Sequence, residues 1–593
     1  MVVTLVLGVL ALLFVPRLLE ARRQLTFARS DLQEARTAVV LRSDDEARES
    51  LEQARKRLAA VQRHARSFPL GLTRPVPLLG SPSRALDDAA RAGKEAVAAG
   101  DAIARAGTSF PNSGPAAVTG QDLSGFHAAA VDAGHELDQA QLHLEAARQS
   151  LEGPAGALLP PVSGPARAML QELEHGHRQL VGARRGISVV TDLVGPQADV
   201  RLLLLAQDSL ELRPTGGYIG SFGVLRFFQG TVALERYQAT EDLPAPEPPM
   251  KAPGQLAPLL PGGWRLSNVN WWPDFPTTAS TATEMFKRQG GGEVNGVLAV
   301  TEHAIARLIG ALGPLQVPGY AEPVVEKGFD ERVVREVELK RPLDIPRKRF
   351  LIELSKVVFG RLSNLPGERL PGVTQAIDRS VGVGDLQVWF ADPARQRHVV
   401  GTRWSGALPS VDHDFLMLAD VNLSASKANL GVVKDVTYRV RRQGTDGLVA
   451  EVKVAIRNEG RETPVNPLYN SFLRVYVPRD AELVEPDKDQ YDDGEAPDGR
   501  YRVFSQYFIV DPGSEVTATF RYRLPEGVAP DGKYRLTWVR QVGTPGDSLV
   551  AVVPGRTAES DPGNQVLEVR ADVRGNRVVE FLRRRWVVRK LTG

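Results

Sequence analysis

The chain opens with an apolar segment that predicts a helix of its own. The run from Val2 to Val15 contains no charged residue. A helix from Val2 to Leu19 would be about 27 Å long at about 1.5 Å per residue, close to the roughly 30 Å of a hydrocarbon core. Residues 1–19 are therefore predicted to form a single transmembrane anchor. A cleaved signal peptide and a buried core helix are the alternatives.

The charges around this segment bear on its orientation. Arg17, Arg22 and Arg23 follow the apolar run, and no positive charge precedes it. By the positive-inside rule, this pattern would place the rest of the chain in the cytoplasm. We expect the opposite orientation, with the bulk of the chain outside the cytoplasmic membrane. Because the uncharged run begins directly at Met1, we expect that the true start of the protein lies upstream and includes a basic segment.

Residues 20–195 show a helical pattern, because apolar residues recur three and four positions apart. Each such set of apolar residues would form a seam along one face of a helix. One seam is Leu25, Ala28, Leu32, Ala35 and Val39, and another is Leu137, Ala140, Leu144, Ala147 and Leu151. Arginine, glutamate and glutamine fill many of the positions between them. The pattern predicts amphipathic helices that pack as a bundle or coiled stalk, serving as a spacer or an oligomerisation element.

A third pattern follows the helical region. Val200–Ala206 is a continuous apolar run, which is typical of a strand buried on both faces. Val294–Val300 predicts a second strand, and Thr301 can cap a helix from His303 to Leu312. Strands that alternate with helices predict a layered α/β domain over residues 196–430.

The last part of the chain changes to a period of two. Val516, Ala518 and Phe520 alternate with polar residues, and turn sequences such as Pro512-Gly513 separate such runs. Alternation of this kind indicates strands with one face in a core and one in solvent. It predicts an antiparallel β-sandwich over residues 431–593.

Length and composition limit the classes of function. A chain of 593 residues is too long for one hydrophobic core, in agreement with these successive regions. The formal net charge of +2 gives no strong attraction to nucleic acid, so no nucleic-acid partner is expected. The absence of cysteine excludes disulfides, thiolate metal sites and a cysteine nucleophile. No residue pattern points to a hydrolase, and whether the protein is an enzyme stays open.

A glycine-rich segment is the first candidate for a binding site. Its four glycines are Gly216, Gly217, Gly220 and Gly223. Glycine lets backbone amides approach a ligand closely, and Arg213, Thr215 and Ser221 could complete an anion site. The segment lacks the Gly-Lys-Ser/Thr of a P-loop, and the strand that follows it excludes a Rossmann fingerprint. A tight glycine hairpin at a sheet edge is the alternative.

A tryptophan-rich segment, Asn268–Pro276, offers further candidates. Asp274 lies between two prolines, where an aspartate serves either a ligand site or the local turn. Trp271 and Trp272 could stack on a sugar or an isoprenoid, or pack in the core.

Three stretches carry a specific resemblance. They read LLLLAQDSLELRPTGGYIGSFGVL, NVNWWPDFP and ADVNLSASKANL. They resemble the uncharacterised bacterial family known as the domain of unknown function numbered four thousand and twelve, from about Asp199 to Leu430. The resemblance implies a membrane-anchored protein of the cell envelope, often encoded near polysaccharide-export genes. It implies no established activity.

The order of elements is also similar, more distantly, to that of the LytR-CpsA-Psr envelope phosphotransferases, which move lipid-linked glycopolymers onto the cell wall. This second resemblance implies that Arg213, Arg347 and Arg349 grip a pyrophosphate. It also implies that Asp208 is a catalytic residue or a ligand of a magnesium ion. The sequence departs from that family, because Arg213-Pro-Thr-Gly-Gly replaces its Arg-Ser-Asp signature and its Pro-Arg-Asp signature is not evident.

Two hypotheses follow for the function. In the first, an extracytoplasmic envelope protein binds a glycopolymer linked to a polyprenyl pyrophosphate, with transfer of that glycopolymer as an open extension. In the second, the protein is a non-catalytic scaffold of the envelope that acts through homo-oligomers or partner proteins. Convergence of Asp208 with the three arginines on one pocket would favour the first hypothesis.

Overall fold

The computed structural model describes most of the chain and divides it into two compact units. The described residues are 2–40, 43–68, 71, 81–109, 124–152, 160–260, 262–339, 348–424, 426–443, 447–561 and 564–572, with residues 2–15 described by their backbone. The helical unit comprises residues 1–199, 227–232 and 363–371. The sheet unit comprises residues 200–226, 233–362 and 372–593.

The helical unit confirms the predicted helical N-terminal region. Its long helices are α1 (Val2–Val40), α2 (Asp44–Arg66), α3 (Ser81–Thr108), α4 (Ser124–Glu152) and α5 (Pro160–Val194). Most of the predicted seam residues, such as Leu25, Ala28 and Leu137, belong to its core. Helices α2 and α3 are antiparallel, because Leu58 contacts Gly93 whereas Leu51 contacts Gly100. A Cβ atom at Gly93 would lie 2.3 Å from Leu58 Cδ2, so the small residue permits this close approach.

The predicted transmembrane anchor gains no support from the helices. Helix α1 runs through residues 2–19, but no helix in the described part of the chain contains a stretch long and apolar enough to cross a membrane.

A five-stranded mixed sheet forms the centre of the α/β layer. Its strands are β1 (Asp199–Asp208), β2 (Tyr218–Phe228), β3 (Thr231–Ala239), β4 (Gly296–Thr301) and β5 (Leu386–Phe390), in the order β3-β2-β1-β4-β5. Strands β1 and β4 are parallel, with Leu205 opposite Ala299, whereas β4 and β5 are antiparallel. Both strands predicted from apolar runs are present, as β1 and β4.

Helices follow these strands in sequence. They are α6 (Phe275–Arg288), α7 (Glu302–Leu312), α8 (Phe329–Val334), α9 (Arg349–Ser363), α10 (Leu370–Gly382) and α11 (Pro393–Val399). Thr301 caps α7 as predicted, since its side chain accepts a hydrogen bond from the Ala304 N–H. Helix α7 therefore begins directly at the end of β4.

The C-terminal region forms two packed six-stranded sheets. One has the order β10-β13-β8-β7-β15-β16 and the other β11-β12-β9-β6-β14-β17. The strands are β6 (Asp414–Asn422), β7 (Val432–Gln443), β8 (Gly447–Asn458), β9 (Tyr469–Pro478), β10 (Glu482–Leu483), β11 (Gln490–Glu495), β12 (Tyr501–Val510), β13 (Glu515–Arg523), β14 (Lys533–Val539), β15 (Ser548–Val553), β16 (Arg556–Glu559) and β17 (Val566–Asp572). Residues of both sheets share one hydrophobic core.

The prediction of a purely antiparallel sandwich is corrected. Strands β6 and β14 are parallel, and so are β7 and β15, so each sheet is mixed. The alternation of apolar and polar residues identifies a strand with two different faces, but it does not identify the direction of the neighbouring strand. Parallel pairs here join strands that lie far apart in the chain.

Strand β6 connects the sandwich with the α/β layer. It lies before residue 430, where the α/β domain was predicted to end, yet it is a central strand of the second sheet. All nine of its residues are buried, because Leu416 and Leu418 face the sandwich core and Phe415 and Met417 belong to a second apolar cluster. The segment that follows β6 reaches the end of β1, where the candidate site lies.

Candidate functional site

The carboxyl ends of the two parallel strands β1 and β4 form the site. Asp208 is the last residue of β1, and Glu302 and His303 directly follow the last residue of β4. Asp330, the second residue of α8, lies beside them. In α/β sheets, ligands bind outside the carboxyl ends of parallel strands. We call Asp208, Glu302, His303 and Asp330 the edge cluster.

Three members of the edge cluster have the geometry of metal ligands. Each of Glu302, His303 and Asp330 offers one ligand atom, and these three atoms lie within 4.8 Å of one another. His303 Nε2 is 3.7 Å from Asp330 Oδ2, beyond hydrogen-bond distance. His303 Nδ1 and Asp330 Oδ1 are buried and have no hydrogen-bond partner among the described residues. The three side chains can therefore accept a cation.

A buried lysine from the segment after β6 neutralises Asp208. Lys427 Nζ lies 2.6 Å from Asp208 Oδ2 and 2.6 Å from Glu211 Oε1, and the Lys427 side chain is 5% exposed. Glu338 lies further away, with its Oε1 3.9 Å from the same nitrogen. Burial opposes the charge of Lys427, but the carboxylates of Asp208 and Glu211 raise the pKa of its ammonium group above the ordinary value.

A second buried lysine, Lys348, also acts on Asp208. Burial alone would raise the pKa of Asp208, but Lys427 and Lys348 together hold that pKa below its ordinary value. A Cβ atom at Gly220 would lie 2.9 Å from Lys348 Nζ, so this glycine leaves room for the ammonium group against β2. One of the four clustered glycines therefore serves to place a cation near Asp208.

The remaining carboxylates of the edge cluster repel one another. Burial raises the pKa of Glu302 well above its ordinary value, and the carboxylates of Asp208 and Asp330 add to this effect. Burial also raises the pKa of Asp330, against the opposing effect of His303. A dication bound between these groups would remove the repulsion.

Arg213 is held by the protein itself. Its Nη1 donates to the carbonyl oxygens of Leu212 at 3.0 Å and Asn422 at 2.6 Å. Its Nε and Nη2 donate to Asn268 Oδ1 at 3.2 Å and 3.1 Å. The guanidinium group therefore joins the segment after β1 to the tryptophan-rich segment and to β6.

Thr215 and the first glycines belong to the same bonded network. Gln207 Nε2 donates to the Thr215 carbonyl oxygen at 2.9 Å, and Gln207 Oε1 accepts from the Thr215 hydroxyl at 2.9 Å. Asn270 Nδ2 donates to Gln207 Oε1 at 2.9 Å and to the Gly217 carbonyl oxygen at 2.7 Å. Gly216 has a φ of +142°, which L side chains rarely adopt.

The hydrogen bonds thus bring together all three stretches on which the family resemblance rests. Residues 197–335 match the family model described as Protein of unknown function (DUF4012). Over these residues the chain resembles DUF4012. No curated protein and no solved structure matches the chain.

The segment that matches DUF4012 contains the whole edge cluster but neither of the two buried lysines that act on Asp208. Asp208, Glu302, His303 and Asp330 lie within residues 197–335, whereas Lys348 and Lys427 lie beyond them. The charge balance of the site therefore depends on chain outside the matched segment.

Other predicted site residues of the DUF4012 segment lie in structural contacts. Asp274 caps α6, where its Oδ2 accepts from the Thr277 N–H at 3.2 Å, and its Oδ1 accepts from the Leu408 N–H and from Arg500. Ser221 is buried on β2. Trp271 stacks on Phe472 in the core with ring centroids 5.7 Å apart.

The two further arginines predicted to grip a pyrophosphate lie beyond the DUF4012 segment. Arg349 is exposed at the first residue of α9, and Arg347 lies outside the described residues. The structure therefore brings Asp208 and Arg213 to the end of β1, and the positive charge of Lys348 acts on Asp208 there.

The sequence analysis did not identify several residues of the site. Three of them could have been selected, because Glu302 and His303 follow a predicted strand and Lys427 lies inside the stretch ADVNLSASKANL. Asp330 and Lys348 could not have been selected, because their positions depend on how α8 and the start of α9 pack.

Gly217→Ala is expected to destabilise the sheet unit by about 2–3 kcal/mol or more. The added Cβ atom would lie 2.1 Å from the Asp208 carbonyl oxygen, so the backbone must move. Urea unfolding followed by tryptophan fluorescence measures the effect, because no tryptophan lies in the residues of the helical unit. Gly254→Ala, which meets no atom within 4 Å, is the control. Equal midpoints for the two variants would contradict this steric account.

Proposed function

We propose that the protein is a membrane-anchored, extracytoplasmic envelope protein whose edge cluster binds the pyrophosphate of a lipid-linked glycopolymer through a divalent cation. One observation carries the proposal: a metal-capable set of ligands and two buried lysines lie at the same end of the parallel pair β1 and β4. The anchor over residues 1–19, the outward orientation and any homo-oligomer or partner protein belong to the same proposal.

The charges of the site explain why a cation is required. The carboxyl groups are those of Asp208, Glu211, Glu302, Asp330 and Glu338. They outnumber the cationic groups of Lys348, Lys427 and Arg213, so the edge repels an anion by itself. A dication held by Glu302, His303 and Asp330 reverses the local sign, and the open positions on such an ion accept phosphate oxygens.

Binding is the activity that this geometry supports. Transfer of the glycopolymer would additionally require charge neutralisation on the leaving group, which the same cation would supply. The distant resemblance to the LytR-CpsA-Psr phosphotransferases in the order of elements favours a pyrophosphate as the ligand. Arg213 takes a structural part in this proposal, because its N–H groups are bonded to protein oxygens.

The test is equilibrium binding of a short-chain polyprenyl pyrophosphate to the full chain in detergent, with and without a divalent cation. We expect saturable binding that requires the cation and weakens by about tenfold or more in Asp330→Asn, since this change removes one charge of the ligand set. Glu331→Gln is the matched control, because Glu331 is the exposed neighbour of Asp330.

Two results would contradict the proposal. One is equal binding with and without the cation, and the other is no binding by a folded wild-type chain. A polyprenyl monophosphate serves as the comparison ligand, and equal affinity for it would exclude recognition of a pyrophosphate.

A scaffold that acts through protein contacts is the second candidate function. The observation in its favour is that the side chains of Arg213, Gln207 and Asn270 donate hydrogen bonds to oxygen atoms of the protein itself. These donors serve the structure of the segment and not a ligand. Absence of pyrophosphate binding together with co-purification of a defined envelope protein partner would favour this candidate.

A further inference from the structure

We infer that Glu302, His303 and Asp330 form a site for a first-row transition-metal ion, Mn²⁺ or Zn²⁺, in preference to Mg²⁺. The inference deepens the proposed function, because it rests on the same edge and identifies the cation there. It concerns metal binding alone, which can be measured without any phosphate ligand.

The ligands lie on elements that fix their positions. Glu302 and His303 are the first two residues of α7, directly after β4 and the Thr301 cap. Asp330 is the second residue of α8, which begins after Gly328 in the left-handed region at φ +72°. Ligands on the ends of regular elements are held more precisely than ligands on loops.

The distances suit a single ion. Two ligand atoms bound tetrahedrally at about 2.1 Å from one ion are about 3.4 Å apart. His303 Nε2 and Asp330 Oδ2 are 3.7 Å apart, and the ligand atoms of all three residues lie within 4.8 Å. Small side-chain movements therefore suffice to close the site on an ion.

Hydrogen bonds already orient Glu302. The Ser209 N–H donates to Glu302 Oε1 at 2.8 Å and to Oε2 at 2.9 Å, and the Ser209 hydroxyl donates to Oε2 at 3.1 Å. Partners of this kind orient metal-binding carboxylates and are needed for affinity. The carboxylate oxygens keep further lone pairs for an ion.

One buried atom of the site has no other use. Asp330 Oδ1 has no hydrogen-bond partner among the described residues, and Oδ2 of the same carboxylate is 3.7 Å from His303 Nε2. Buried polar atoms are usually paired, and an ion held by both oxygens of Asp330 would satisfy this atom. The unpaired oxygen therefore supports an ion between Asp330 and His303.

The ligand types select the metal. Mg²⁺ favours oxygen ligands in a strict octahedron and retains several waters. An imidazole suits Zn²⁺ and other late first-row ions, whereas carboxylates and water also suit Mn²⁺. One imidazole and two carboxylates therefore favour Mn²⁺ or Zn²⁺, and three protein ligands leave positions open for water or a phosphate oxygen.

Metal titration of the chelator-treated full chain in detergent tests the inference. Calorimetry with Mn²⁺, Zn²⁺ and Mg²⁺ separately is expected to show one tight site per chain for Mn²⁺ or Zn²⁺. Affinity for Mg²⁺ should be lower by about tenfold or more. His303→Gln and Asp330→Asn should each weaken Mn²⁺ or Zn²⁺ binding by about tenfold or more.

His143→Gln is the matched control, because His143 also pairs with a carboxylate, at 2.7 Å from Glu95, but lies in the helical unit. It should leave metal binding unchanged. Tryptophan fluorescence of each variant verifies that the sheet unit is folded.

Three results would overturn the inference: no metal uptake by the folded chain, equal affinity for Mg²⁺, or full binding in His303→Gln. Failure of pyrophosphate binding by a chain that takes up Mn²⁺ or Zn²⁺ would remove the proposed function and support the metal site. Pyrophosphate binding with Mg²⁺ alone, unchanged in His303→Gln, would overturn the metal assignment and support the proposed function.

Discussion

Replacement of Lys427 by methionine is expected to destabilise the sheet unit by about 3–5 kcal/mol, because a buried ion pair loses one partner. The change leaves the carboxylates of Asp208 and Glu211 without the ammonium group that lies 2.6 Å from each. The free energy of unfolding, measured in urea by tryptophan fluorescence, gives the size of the effect.

Two variants make this test specific. Lys287 forms an equally close pair with Glu293, at 2.7 Å, but its side chain is 58% exposed, so Lys287→Met should leave the midpoint nearly unchanged. The triple variant Lys427→Met, Asp208→Asn, Glu211→Gln removes the unpaired charges and should recover much of the lost stability. A loss of similar size for Lys287→Met and Lys427→Met would show that burial of the pair has no special importance.

Asp414→Asn is expected to change how stability depends on pH. Burial raises the pKa of Asp414 to about 7, against the opposing effect of hydrogen bonds donated by the hydroxyls of Tyr438 and Tyr534. Asp414 Oδ1 is also buried and has no hydrogen-bond partner among the described residues. The carboxyl group of Asp414 therefore stays protonated in the folded state over a pH range in which the same group has released its proton in the unfolded chain.

The sign follows from proton linkage. The folded pKa lies above the unfolded one, so the contribution of Asp414 to stability is fully present below about pH 4 and is lost as the pH rises through about 7. The total loss is about 4 kcal/mol at about 1.4 kcal/mol per pKa unit. Asparagine does not titrate, so the stability of Asp414→Asn relative to wild type should rise by about that amount between pH 4 and pH 8.

Urea unfolding of both proteins at a series of pH values measures this difference. The exposed Asp489→Asn is the matched control and should track the wild type throughout. A constant offset between Asp414→Asn and wild type across the whole range would mean that Asp414 does not titrate as described.

The sequence predicted those parts of the fold that depend on local periodicity. The three- and four-residue spacing of Leu137, Ala140 and Leu144 identifies a helix face without knowledge of its neighbour. The apolar run Val200–Ala206 similarly identifies a buried strand. The pairing of β6 with β14 was not predictable in this way, because parallel neighbours are chosen by contacts between distant parts of the chain.

The site was predictable only in part for the same reason. Asp208 was selected through the resemblance to the LytR-CpsA-Psr phosphotransferases, and the structure places it at the end of β1. The glycine-rich segment also identified Arg213 as a candidate. The sequence could not predict that Arg213 donates hydrogen bonds to the carbonyl oxygens of Leu212 and Asn422. Lys427 joins Asp208 only because β6 leads its segment back to the end of β1.

The dependence of Asp208 on a residue more than two hundred positions later has a consequence for inheritance. A gene fragment that encoded only residues 197–335 would supply Asp208 and Glu211 without Lys427. Exchange of the sandwich for another β domain by recombination would remove the counter-charge together with the strand that delivers it. The α/β layer and β6 are therefore expected to pass between genomes together, as one evolutionary module.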